Sequence, residues 1–127
     1  MDRILVNMIR TPDGTVIQSR HRHDYVTYTD KNGMEYMVDG GLDYLRRTVY
    51  DGHPYEELSL TEEDPIEVIR EYFDWGTYGK DGKQPLRRIL LKDMEDEHIQ
   101  AILDTQRLMP QVKEMFIREQ TYRSANA

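Results

Sequence analysis

The sequence predicts an α+β fold: antiparallel hairpins forming a small sheet, packed by a short helix, a middle helix and two C-terminal helices. Three observations predict it. The 127 residues amount to one domain. Alternating, β-branched segments joined by glycine-containing turns fill the first half. Apolar residues at three- and four-residue spacing fill the second. A hydrophobic fraction of 38% supports one modest core and favours a homo-oligomer.

Ile4 to Ile9 is apolar and partly β-branched, Thr11-Pro12-Asp13-Gly14 is a turn, and Thr15 to Ser19 returns. Tyr25 to Thr29 and Met34 to Val38 form a second hairpin about Asp30-Lys31-Asn32-Gly33, whose Asn-Gly pair suits a tight turn. Val26 and Tyr28 fall on one face, and Tyr25, Thr27 and Thr29 on the other. Asp39-Gly40-Gly41 breaks the strand, and Leu42, Leu45 and Val49 predict a short helix. Residues 1–50 are therefore hairpins plus a short helix, and 51–75 are an acidic helical segment. In it Asp64 is the expected N-cap, Pro65 the first helical residue, Glu67 the partner in a capping box and Gly76 the stop. Residues 76–123 hold a third hairpin about Gly79-Lys80-Asp81-Gly82, with Leu86 to Leu91 returning, and then two helices. The first runs from Asp96 to Leu108 with Ile99, Ile102, Leu103 and Gln106 on one side. The second starts at Pro110 with Val112, Met115, Phe116, Glu119 and Tyr122 aligned. Residues 124–127 read as a frayed tail.

The net charge is −7 and cysteine is absent. Disulfides, cysteine-type zinc fingers and thiol nucleophiles are excluded. No membrane-spanning apolar run and no secretory signal is visible, so a cytoplasmic protein is expected. The acidic balance argues against general nucleic-acid binding. The charge is unevenly spread, however. Residues 51–74 carry nine acids and one base, whereas residues 75–92 carry five bases and one acid. Lys80, Lys83, Arg87, Arg88 and Lys92 supply that positive stretch. It reads either as a solvated hairpin or as a face for an anionic ligand.

Four constellations are candidates for chemistry. In Arg20-His21-Arg22-His23-Asp24 the two histidines, with Asp24 and Asp39, could hold a divalent metal. The alternative is a polar strand in which His23-Asp24 ties a turn. The spacing follows no strong metal motif, and two arginines would repel the ion. Gly40-Gly41 ahead of a helix bearing Arg46 and Arg47 could cradle an anion on backbone N–H groups, or form a turn needing positive φ. Trp75-Gly76-Thr77-Tyr78-Gly79-Lys80 could stack a base and meet a phosphate, or pack the hairpin on the core with Trp75 buried. Arg118, Arg123 and Lys113 near the last helix C-terminus could pair with phosphates or remain solvated. No nucleophile elbow, phosphate loop or paired-carboxylate motif is present, so nothing demands an enzyme.

Ser19 to Tyr25 followed by Val38-Asp39-Gly40-Gly41-Leu42-Asp43-Tyr44-Leu45-Arg46-Arg47 resembles a small family of phage and prophage proteins. Its members usually carry two cysteine knuckles that look like a zinc ribbon. Here the corresponding turns, at Thr11–Gly14 and Asp30–Gly33, have no cysteine, so no zinc site carries over. The C-terminal part, from Leu91-Lys92-Asp93-Met94 through His98-Ile99 to Phe116-Ile117-Arg118-Glu119 and Tyr122-Arg123, is similar to the helical pair of phage nucleotide sponges that block Thoeris and related defences. That resemblance implies phosphate contacts from Arg118 and Arg123 and base stacking by Trp75 or Tyr78. The chain departs from the pattern at Ala101, where those helices often carry a polar side chain.

Together these readings predict a phage-encoded anti-defence protein acting in the infected cell. It would sequester a cyclic or ADP-ribose-type nucleotide without cleaving it and without a cofactor. The expected ligand residues are Arg46, Arg47, Trp75, Tyr78, Lys80, Arg118 and Arg123. Two alternatives stand beside it. One is an acidic inhibitor of a host or defence protein, presenting residues 51–74 as a nucleic-acid mimic. The other is a metal-dependent phosphodiesterase built on His21, His23, Asp24 and Asp39.

Overall fold

Strand β1 (Ile4–Arg10) is buried along almost its whole length. That accounts for its continuous apolar character, because a strand covered on both faces does not alternate. The structure, a computed structural model, describes residues 3–127. It is α+β, and the chain forms two compact units that divide between Glu63 and Asp64.

In the first unit, β1 pairs antiparallel with β2 (Val16–Ser19), so the Thr11–Gly14 turn forms where its residues predict. Thr11 donates to Asp13 Oδ1 at 2.5 Å and Tyr28 donates to Asp13 Oδ2 at 2.7 Å. The Thr11 and Tyr28 hydroxyls hold the Asp13 carboxyl below the usual carboxylate range. The second hairpin joins β3 (Val26–Thr29) to β4 (Glu35–Asp39). Asp30 Oδ1 caps its turn, accepting from the N–H groups of Asn32 and Met34, both at 2.9 Å. Ile9, Ile17, Tyr36 and Val38 form the core of this unit, flanked by Val26 and Tyr28 as their alternation predicts.

The short helix expected over Leu42 to Val49 is absent. Three turn residues are followed by β5 (Arg46–Thr48), which pairs with Met37–Asp39. Residues 46–48 give their backbone to β4 instead. The Asn7 side-chain amide donates to the carbonyls of Asp39, Gly41 and Tyr44 at 2.9, 3.0 and 3.3 Å and so fixes the turn that leads into β5. The acidic segment is also less helical than its residues suggest. β6 (Glu56–Glu57) and β7 (Leu60–Thr61) add to the other edge of β1, opposite Ile9–Arg10 and Ile4–Val6.

Tyr36 is fully buried, and its hydroxyl has no hydrogen-bond partner among the described residues, nor does Asp30 Oδ2. Burial, reinforced by the Asp30 charge, pushes the phenol pKa up. Tyr36→Phe should therefore leave stability to urea unchanged, or raise it by up to about 1 kcal/mol, since only an unmade bond is removed. A loss above that value contradicts the reading.

In the second unit α1 spans Ile66–Tyr72, with Pro65 rather than Asp64 as the N-cap and no side-chain cap bond. The expected capping box is therefore not made. The helix also stops earlier than Gly76, because Phe73 is already extended and β8 (Asp74–Thr77) follows. β8 pairs with β9 (Arg87–Leu90) in a separate two-stranded ribbon; the hairpins do not merge into one sheet. A 3-10 turn (Leu91–Asp93) leads to α2 (Asp96–Thr105), which ends three residues before the expected Leu108. α3 (Pro110–Ala125) starts at the predicted proline and continues through Ser124 and Ala125, which were expected to fray. It buries Val112, Met115, Phe116 and Glu119, the stripe predicted from spacing. Phe73 and Trp75 both meet Phe116 edge-on, with centroids 6.2 and 5.5 Å apart.

Candidate functional site

The ribbon has two unlike faces because side chains alternate along each strand. Trp75 and its cross-strand partner Ile89 lie on the face whose tryptophan packs on Phe116; Trp75 is half-buried. Gly76 and Arg88 lie on the other face. A methyl group placed on Gly76 would sit 3.3 Å from Leu86 Cδ1 and 3.5 Å from Arg88 Cζ. Leu86 therefore shares this outer face, and alternation past Thr77 adds Tyr78. Both are large apolar residues left open, Tyr78 at 55% and Leu86 at 54% exposure. Glycine at 76 keeps the platform between them free of a side chain.

Cations surround this platform. Arg88 pairs with Asp74 at 3.1 Å, and Lys92 pairs with Glu71 at 2.9 Å. Lys80, Lys83 and Arg87 are exposed and make no ion pair among the described residues. The one acid of the turn, Asp81, accepts from the Lys83 backbone N–H at 3.0 Å. Arg87, across from Thr77, belongs to the Trp75 face, so the outer face offers an aromatic ring, an aliphatic neighbour and the two positive charges of its turn, Lys80 and Lys83. Such a set suits a ligand with a flat ring and a phosphate.

The other predicted residues are placed elsewhere. Arg123 is bound to Glu119 at 2.7 Å, to Asp96 at 2.6 Å and to the Leu91 carbonyl at 2.9 Å. Arg118 donates to the Asp64 carbonyl at 2.9 Å. Arg123 and Arg118 thereby hold the helices of their own unit together. Arg47 donates to Asn7 Oδ1 at 2.8 Å and pairs with Glu57, and its side chain is only 12% exposed. Arg46 is open, with Asp39 3.6 Å away. Of the seven residues, Tyr78 and Lys80 stand on the ribbon's exposed part and Trp75 supports it from behind; Leu86, not among the seven, completes the platform. Leu86 was missed. The Gly79–Gly82 turn, which sets it across from Tyr78, was the signal that could have found it.

The Gly40-Gly41 segment is not an anion cradle. The Gly40 N–H donates to Asp39 Oδ1 and the Gly41 N–H to Ser19 Oγ, each at 2.9 Å, and no helix follows. The turn reading is the one realised. His21, His23, Asp24 and Asp39 do not assemble a metal centre. Asp24 Oδ2 accepts from the Arg20 N–H at 2.8 Å, and no group of three histidine or acidic side chains among the described residues could hold an ion.

The acids of residues 51–74 are largely matched. Glu56 pairs with Arg10, Glu57 with Arg47, Glu62 with Arg3, Glu71 with Lys92 and Asp74 with Arg88. Arg3 holds the Glu62 carboxyl below its ordinary pKa. A surface neutralised in this way is a poor imitation of a phosphate backbone. A shallow open depression lined by Glu95, Asp96, Glu97 and Arg123 is mainly anionic and equally unsuited to phosphate. No helix among the described residues is long and apolar enough to cross a membrane. Compared with known proteins, the chain matches no family model, no curated protein and no solved structure.

Proposed function

We propose that the protein is a non-catalytic nucleotide-binding protein whose ligand site is the outer face of the β8–β9 ribbon. The observation that carries this reading is the pairing of an exposed Tyr78–Leu86 platform with Lys80 and Lys83 of the adjoining turn, which make no ion pair among the described residues. A base stacks on Tyr78 and slides over Gly76, and its phosphates meet the cations of the turn. On this reading the ligand is held and not cut. In a phage-infected cell such binding would withdraw a signal nucleotide from a defence system. That role rests on the resemblance of the C-terminal helices to nucleotide sponges.

Calorimetry with a panel of cyclic, linear and ADP-ribose-type nucleotides tests the proposal. Binding is expected with recovery of the intact ligand after denaturation. Tyr78→Ala should weaken it by about tenfold, the lower part of the range for losing one stacked base. Lys80→Glu with Lys83→Glu should weaken it further and flatten its salt dependence. Absence of binding at millimolar nucleotide, or conversion of the ligand, overturns it.

A further inference from the structure

A second apolar surface lies in the same unit as the ribbon. α1 turns Ile69 inward, and Phe73, which follows the helix, is also buried. The helical repeat then places Glu67, Val68, Glu71 and Tyr72 on the outward side. Val68 is 39% and Tyr72 46% exposed. Glu67 is exposed and makes no ion pair among the described residues, while Glu71 holds only the surface contact to Lys92. This face is a small apolar stripe with acidic neighbours. The ribbon's outer face is a small apolar pair with basic neighbours. The two match in size, hydrophobic character and opposite charge.

We propose that the occupant of the α1 face is the ribbon of a second copy of this chain. Each copy lays Tyr78 and Leu86 against the partner's Val68 and Tyr72, with Lys80 and Lys83 of the turn meeting Glu67 and Glu71. Made reciprocally, the two contacts close a two-fold dimer and leave no open end for a filament. Opposite charges set the orientation and speed encounter, and the exposed apolar groups are what the contact covers. Exposed pairs are screened by salt, so the dimer weakens as ionic strength rises. The inference does not rest on the nucleotide reading. If that reading also holds, dimer and nucleotide compete for Tyr78.

Sedimentation of the full chain over a range of concentrations, at low and high salt, tests the proposal. A concentration-dependent dimer that loosens with salt is expected. Glu67→Arg and Lys83→Glu should each weaken it by at least about tenfold, roughly 1.4 kcal/mol. Mixing the two variants should restore a 1:1 dimer, because the hybrid regains one native and one reversed charge contact. That rescue excludes misfolding of either variant as the cause. A monomer under all conditions overturns the proposal. So does a dimer indifferent to Glu67→Arg, or a monomer whose ribbon binds an acidic peptide instead. Glu67 lies outside the nucleotide site. A Glu67→Arg monomer that still binds nucleotide therefore separates the two proposals, and so does a wild-type dimer that binds none.

Discussion

Glu119→Ala is expected to destabilise the second unit by about 3–5 kcal/mol, the largest effect of any single substitution considered. Glu119 has no exposed surface, yet it carries two arginines. Arg70 donates to it at 2.9 and 3.1 Å from α1, and Arg123 donates at 2.7 Å from one turn further along α3. Their side chains are only 18% and 20% exposed, so neither can turn fully to water when the carboxylate goes. Arg70 keeps its stacking on the Tyr122 ring, 4.6 Å from the centroid, which returns only a small part of the loss. Two nearly buried cations facing each other across an empty space account for the size of the effect. Urea denaturation of wild type and variant measures it. Hydrogen exchange should place the loss in α1, α2 and α3, sparing the N-terminal hairpins. Glu119→Gln, which keeps one acceptor oxygen, should recover part of it. A loss below about 1 kcal/mol for the alanine variant would show that the arginines find other partners.

The second large effect belongs to Gly41. Its φ is +52°, and a methyl group there would lie 2.3 Å from the His21 carbonyl carbon and 2.5 Å from its Cα and O. These are backbone atoms, so no rotamer change relieves the clash. Moving them also disturbs the Ser19 hydroxyl, which donates to the Asp24 carbonyl at 2.6 Å while accepting the Gly41 N–H. Gly41→Ala should cost about 3 kcal/mol, joining backbone strain to overpacking. Gly14→Ala is the control. Its φ is also positive, at 91°, but a methyl group there meets nothing within 4 Å. Its cost should be about 1 kcal/mol, from conformation alone. Equal melting shifts for the two variants would refute the close-approach argument.

These cases show which parts of the molecule were legible. The first two hairpins and the α3 stripe were read correctly because their signals are local: turn residues between strands, and apolar side chains three and four apart. The segment after Gly41 misled because Leu42, Leu45 and Val49 do have helical spacing, while residues 46–48 are taken up by pairing with β4, which local spacing does not show. β6 and β7 were missed for a related reason. They are two residues each, β6 is wholly acidic, and both pair with β1. In the site, charge and aromatic exposure at Tyr78 and Lys80 could be seen in the sequence. The engagement of Arg123 was half visible, since Glu119 precedes it by four residues. The engagement of Arg118 was not, because its partner is a backbone carbonyl 54 residues earlier.

The pairing of β1 with both its neighbour β2 and the distant β6 and β7 also sets an order of events on the ribosome. β1 leaves the exit tunnel before β6 and β7 and acquires these edge partners only once Thr61 has emerged. Until then one side of a hydrophobic strand waits uncovered, and chaperone capture or misassociation of the nascent chain is most expected there. Within the segment from Asp64 onward, β8 pairs with β9 and side-chain bonds tie α1 and Asp64 to α3. Synthesis therefore meets its slow step early.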